Sequence, residues 1–188
     1  MLELWLVRHA ESEANAGLVG DVVDCALSHK GVRETDRLRA HLAPVRFDAI
    51  HSSDLRRCAQ TASLAMPDST IQFDARLREL VTGPETAVVD LDKLGLDAVL
   101  RSVAAPEQPA ESGLAFRARV KAWLDELPKT GRVLAFTHTQ VVREVLSLLL
   151  SSEARPTSAV VANASITRME IAASTTRLVA FAAIDHLG

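Results

Sequence analysis

The apolar run LELWLV (residues 2–7) stops abruptly at two polar side chains, Arg8 and His9. A short apolar run reads as a buried strand, and arginine is seldom buried without a partner. The pair therefore marks either the strand's exit into solvent or a site to which the strand delivers both groups. The residue types say what such a site would do. Neutral imidazole is nucleophilic at neutral pH, and a guanidinium donates two parallel hydrogen bonds to phosphate while keeping its charge. A phosphoryl group in transfer needs a nucleophile in line with its leaving oxygen and cations around its equatorial oxygens.

The elements that must position these groups alternate along the chain. After the first strand, Val32, Thr35, Leu38 and Leu42 form a helical stripe from Ser28, a plausible N-cap, to about Leu42. FDAIHSS (47–53) reads as a strand, and Leu55, Cys58, Ala59 and Ala62 share one face of the helix after it. IQFDARLREL (71–80) begins extended, and residues 81–110, rich in Gly and Pro, read as irregular with one short helix at most. Phe116, Val120, Trp123, Leu124 and Leu127 predict an amphipathic helix capped by Ser112 and ended before Pro128. RVLAFT (132–137) is a strand, Val142, Val145, Leu146 and Leu149 mark a helix, and SITRMEI and TTRLVAFAAI predict a closing hairpin.

This alternation predicts one domain over residues 1–188, an α/β three-layer sandwich with a mainly parallel central sheet flanked by helices. In such sheets ligands bind beyond the carboxyl ends of the strands. Arg8 and His9 end one strand, Ser52 and Ser53 a second and His138 a third, so polar groups are expected along one edge.

Composition narrows the partners. At 188 residues, 48% apolar and 24% charged, the chain has ordinary globular makeup, and a net charge of −3 argues against a nucleic-acid binder. Two cysteines without paired spacing signal neither disulfides nor zinc. The start carries Glu3 and no basic stretch, so no signal peptide is expected. The longest apolar stretch contains Arg143 and Glu144 and cannot span a bilayer. A cytoplasmic protein without membrane association is the expectation.

RHAESEAN (8–15), DCALSHKG (24–31), SSDLRRCAQTA (52–62), LREL (77–80) and FTHTQ (136–140) look like the ordered signatures of the histidine phosphatase superfamily. The resemblance, to its phosphoglycerate mutase-like phosphatases, runs from residue 4 to about 150. It implies a phosphatase that hydrolyses small phosphomonoesters through a phosphohistidine, with no metal and no cofactor. By this resemblance His9 is the nucleophile, Arg8 and Arg57 clamp the phosphoryl oxygens, and His138 donates to them. Asn15 matches an asparagine that donates to a phosphoryl oxygen, and Glu79 matches the glutamate that protonates the leaving alkoxide.

Physical arguments accompany these roles. Adjacent helical side chains diverge by about 100°, so only one of Arg56 and Arg57 faces a site, and the resemblance selects Arg57. A carboxyl near a dianionic phosphate is kept protonated by like charge, which suits Glu79 as an acid. Thr139 stands where the family usually has glycine, and N–H groups at a helix start still hold an anion there, so it joins the substrate-binding residues.

Two departures bear on substrate: AGLVGD (16–21) lacks a basic residue, and VTGPETA (81–87) replaces a common Trp-Glu-Gly. Both disfavour a very acidic substrate. Phosphoglycerate mutase-type transfer and a catalytically silent phosphate-binding module remain the rivals, but the stretch between Glu79 and Ser112 looks too small to seal a mutase pocket. A metal-dependent hydrolase would need carboxylates clustered with histidines, which the spacing does not offer. His29, His41, His51 and His186 are expected to be structural, Asp24 a cap or loop anchor, Cys58 a small core residue, and Arg117, Arg119 and Lys121 a solvated helix face. The motifs specify neither the physiological substrate nor the oligomeric state.

Overall fold

The computed structural model describes residues 1–19, 24–81, 110–150 and 160–188. Six strands form one sheet in the order β3-β2-β4-β1-β5-β6. They are β1 (Leu2–Arg8), β2 (Ala49–Ser52), β3 (Gln72–Phe73), β4 (Gly131–Thr137), β5 (Ile166–Ile171) and β6 (Thr176–Ala183). β1 runs parallel to β4, β4 to β2 and β2 to β3, whereas β5 is antiparallel to both β1 and β6. The described helices are α1 (His29–Leu42), α2 (Arg56–Ala65), α3 (Gly113–Glu126) and α4 (Thr139–Leu149).

Strand alternation builds the layers. Leu2, Leu4 and Leu6 of β1, with Val133 and Ala135 of β4, pack against Phe116, Val120 and Trp123 of α3 and the valines of α4. Trp5 and Val7, with Leu134 and Phe136, pack instead against Leu38 and Leu42 of α1 and Ala62 and Ala65 of α2. Central strands buried on both faces read as nearly continuous apolar runs, and LELWLV, interrupted at Glu3, is one. Each large side chain buried this way contributes about 1.5–3 kcal/mol relative to exposure.

The N-caps expected at Ser28 and Ser112 are both present. Ser28 Oγ accepts from Gly31 N–H (3.0 Å) and Ser112 Oγ from Ala115 N–H (3.2 Å). The α1 stripe differs at one position, where Val32 is 42% exposed and Gly31 is buried instead. Gly31 lies so close to the backbone of Glu11 that a Cβ would stand 2.0 Å from its carbonyl oxygen. The ambiguous stretch 71–80 is a two-residue strand followed by a 3₁₀ turn, Ala75–Leu77. Apart from its end residues Val81 and Ala110, the segment read as irregular lies outside the described residues. The terminal hairpin forms as expected, closed by Ala172 N–H to Thr175 O (2.8 Å).

Because four strands run parallel, Arg8, Ser52 and Thr137 end at one edge of the sheet. Residues 161–165 lead into β5 at that same edge, where Ile166 pairs with Val7.

Candidate active site

His9 follows β1 and is held on both sides. Its N–H donates to Thr137 O at the end of β4 (2.9 Å), and its carbonyl accepts from Ala164 N–H and Asn163 Nδ2, each at 3.1 Å. The side chain is 4% exposed. Nδ1 lies 2.8 Å from Ala10 O, which can only accept, so Nδ1 carries the proton. Nε2 then keeps its lone pair, and Arg57 Nε points at it from 3.3 Å. Thr61 joins the two elements, accepting from Ala10 N–H (3.1 Å) and donating to Arg57 O (2.6 Å).

α2 brings Arg57 to the site and turns Arg56 into solvent, as the divergence of adjacent helical side chains requires. The helix has no side-chain cap of its own, and Asp24 supplies one from a distance, its Oδ1 accepting from Arg56 N–H (2.5 Å). Asp24 is thus the anchor anticipated for it.

His138 follows β4 and is fully buried, its ring centroid 5.1 Å from that of His9. Its Nε2 lies 3.0 Å from Ser53 Oγ and 3.3 Å from Cys58 Sγ. Glu79, half-buried, reaches the start of α4, where its Oε1 accepts from Gln140 N–H and from Leu80 N–H, both at 3.1 Å. Thr139 is the half-buried first residue of that helix. Asn15 is exposed, and its Oδ1 accepts from Ser12 N–H, Ser12 Oγ and Asn163 Nδ2 (3.3, 3.0 and 3.0 Å). Its amide N–H groups are what it has left to offer a ligand. Arg8 donates through Nη1 to Val161 O (2.6 Å), while its buried Nε has no hydrogen-bond partner among the described residues.

The electrostatics follow from burial beside two guanidiniums. Desolvation first, then Arg57 and Arg8, push the His9 pKa down to about 3. Desolvation, His9 and the arginines hold His138 well below the usual histidine value. Both rings are therefore neutral at neutral pH. Glu79 moves the other way: desolvation raises its pKa, and the two backbone N–H bonds and the arginines only partly oppose it. Burial lowers the Arg8 pKa, a measure of what it costs to keep that cation from water. Among the described residues no group of three His, Cys, Asp or Glu side chains is placed to hold a metal ion.

Comparison with known proteins gives this geometry a family. The sequence profile of the histidine phosphatase superfamily (branch 1) matches residues 4–184. The chain belongs to the histidine phosphatase superfamily. It is 33% identical over 85 residues to the adenosylcobalamin/alpha-ribazole phosphatase of Escherichia coli K12, covering 44% of this chain and 42% of that protein. It is 39% identical over 84 residues to the fructose-2,6-bisphosphatase TIGAR of Xenopus laevis, covering 40% and 30%. The chain thus spans less than half the length of these curated relatives. Among solved structures, a phosphoglycerate mutase from Bacillus anthracis superimposes with a TM-score of 0.77 at 23% identity, over 99% of this chain and 95% of that one. A mycobacterial glucosyl-3-phosphoglycerate phosphatase solved with VO3 gives 0.71 at 25% identity, over 97% and 99%.

Several residues around this histidine phosphatase site escape sequence reasoning. Asn163 ties the loop before β5 to both His9 and Asn15, yet it lies beyond the stretch in which the motifs were matched. A polar residue immediately before an apolar strand, in NASIT, was the available signal. Cys58 is buried as expected, but it lies against His138 and Thr137 O rather than apolar side chains alone. Arg119 corrects the reading of a solvated face: it is half-buried and bonded to backbone across the fold, whereas Lys121 is exposed and pairs along its own helix with Asp125. A helical wheel cannot anticipate this, because the carbonyls involved come from another element.

Proposed function

We propose that this protein is a phosphatase that hydrolyses small phosphomonoesters through a phosphohistidine on His9, in the cytoplasm and without a metal. The observation that carries the reading is the state of His9: a neutral ring, its proton committed to Ala10 O and its Nε2 lone pair set against Arg57. Nε2 attacks phosphorus, the bond to the leaving oxygen breaks, and Glu79 gives that oxygen its proton. Water then attacks the phosphohistidine while the Glu79 carboxylate takes the water proton, breaking the P–N bond and releasing inorganic phosphate. Arg8 and Arg57 neutralise the equatorial oxygens throughout. An anion against Arg8 also supplies the acceptor that its buried Nε lacks. His138 has Nε2 close to Ser53 Oγ and Cys58 Sγ and only a long contact, 3.9 Å, from Nδ1 to Cys58 Sγ, so Nδ1 is the nitrogen assigned to donate to the phosphoryl group. Asn15 and the N–H of Thr139 complete the cradle.

The named activities of two relatives support this reading: the Escherichia coli protein is an adenosylcobalamin/alpha-ribazole phosphatase and the Xenopus laevis protein a fructose-2,6-bisphosphatase. The test is acid quenching during turnover of a ³²P-labelled monoester. Label on His9, release of inorganic phosphate, indifference to EDTA and inhibition by vanadate are expected. His9→Ala should abolish both label and turnover, since it removes the nucleophile on which the phosphoenzyme forms. Interconversion of 3-phosphoglycerate and 2-phosphoglycerate after priming, with negligible phosphate release, would replace the phosphatase with a mutase.

A further inference from the structure

Arg119 projects from the middle of α3, and every N–H it owns is spoken for. Nη1 donates to Arg76 O (2.7 Å) and Arg78 O (2.8 Å), and Nη2 donates to Glu79 O (3.1 Å). Nε and Nη2 also form a two-pronged pair with Glu111 (2.7 and 2.8 Å). A guanidinium has five donors, and these five bonds use them all. The remaining carbonyl in the run, Leu77 O, accepts from Thr137 Oγ1 (2.9 Å), on the residue just before His138. Four consecutive carbonyls, from Arg76 to Glu79, are therefore held by two side chains. The stretch follows a two-residue strand and has no sheet ladder to satisfy its backbone.

We propose that Arg119 is a positioning residue for the acid of the reaction: it fixes where the Glu79 carboxyl stands by holding the backbone on which that side chain is mounted. The proposal rests on the phosphatase reading above. Glu79 has only three rotatable bonds beyond its Cα, and its carboxyl must meet the leaving oxygen within hydrogen-bond reach. An error of about 1 Å in such a placement costs about a hundredfold in rate. Glu111 takes part because its carboxylate orients the guanidinium, and because its own N–H donates to Val81 O (2.9 Å), two residues beyond Glu79. The arrangement needs a planar fork. A lysine at 119 keeps the charge but cannot reach three carbonyls and a carboxylate together.

Leaving-group dependence separates positioning from mere structural support. A 4-nitrophenolate departs without a proton, whereas an alkoxide does not. Arg119→Lys and Arg119→Gln are expected to lower kcat/KM on an alkyl phosphate by about ten- to a hundredfold, within what a general acid contributes. On 4-nitrophenyl phosphate kcat/KM should change by less than about threefold, because it reports the steps through phosphorylation of His9 and not the later water attack in which Glu79 is the base. Glu79→Gln should show the same split in kcat/KM, and adding Arg119→Lys to it should cost little more there, because the two changes remove one function. Glu111→Gln, which leaves the carbonyl contacts in place, should give a smaller split and covers the case in which Arg119→Gln does not fold. Equal losses on both esters in Arg119→Lys and Glu111→Gln, or an additive double variant, would overturn the proposal. If Glu79→Gln itself shows no split, the assignment of Glu79 as the acid fails instead.

Discussion

At the scale of single residues, the site sets two cations against a neutral imidazole, and that opposition makes predictions. Arg57→Ala should reduce kcat/KM by about 10²–10³-fold, the range for losing one preorganised donor to a developing anion, while Arg56→Ala, on the exposed side of α2, should leave it nearly unchanged. Parallel assays of the two variants decide it, and equal losses would mean that the anion sits elsewhere. The pH profile is the second test. Since the folded His9 titrates at about 3, kcat/KM should hold well below the point at which an ordinary histidine, near 6.5, becomes a cation. The ester's own second ionisation, at about 6, has to be allowed for. With an alkyl phosphate, the alkaline limb should reflect loss of the Glu79 proton, displaced upward by burial. An acid limb close to 6.5 would mean that His9 is solvated. Much of this was legible beforehand, because Arg8, His9, Arg57 and His138 sit in ordered motifs. Asn163 and Arg119 were not, because their partners are backbone atoms far along the chain.

Among the elements, α1 shows how a helix holds the loop that follows His9. Ser28 caps the helix and also donates to Glu11 Oε1 (2.8 Å), while its N–H donates to Glu11 O (2.9 Å). Lys30 pairs with the other oxygen of Glu11 (2.6 Å). Gly31 permits the close contact, so Gly31→Ala must push α1 and this loop apart. A destabilisation of about 1–3 kcal/mol is expected from such overpacking, with a fall in kcat because the loop also carries Asn15. Urea unfolding and steady-state rates measure the two effects, and a variant as stable as the parent would show that the helix can shift freely. The sequence marked this helix well through Ser28, Thr35, Leu38 and Leu42. It misplaced Val32 because apolar spacing cannot reveal that a neighbouring backbone needs the space beside Gly31. The two-residue β3 was equally hard to read, since its edge position leaves both residues exposed.

For the whole molecule, burying His9 and His138 neutral makes stability depend on acid. The unfolded chain protonates both as pH falls below about 6.5, and the folded chain does not until much lower, about 3 for His9. Stability should therefore fall with pH by up to about 1.4 kcal/mol per unit for each histidine. Glu79, with a raised pKa, acts in the opposite sense and offsets part of this. Urea midpoints between pH 7 and 4 should show the slope, and His138→Gln should flatten it; an unchanged slope would assign the acid sensitivity to other groups. The sandwich itself followed from strand–helix alternation, and LELWLV announced a central strand by being apolar on both faces. That same strand has a consequence for synthesis. β1 precedes the other described strands, yet its neighbours, β4 and β5, come more than 120 residues later, with Leu2 facing Gly131 on one side and Ile171 on the other. A nascent chain must carry an apolar segment without its partners until it has been extended through Ile171. Contacts so distant along the chain slow folding and expose the segment to aggregation. His9, fixed to the end of β1, is thus translated long before the strands that hold it in place. Chains stalled before β5 should accumulate as chaperone clients with no phosphatase activity, however complete their motifs.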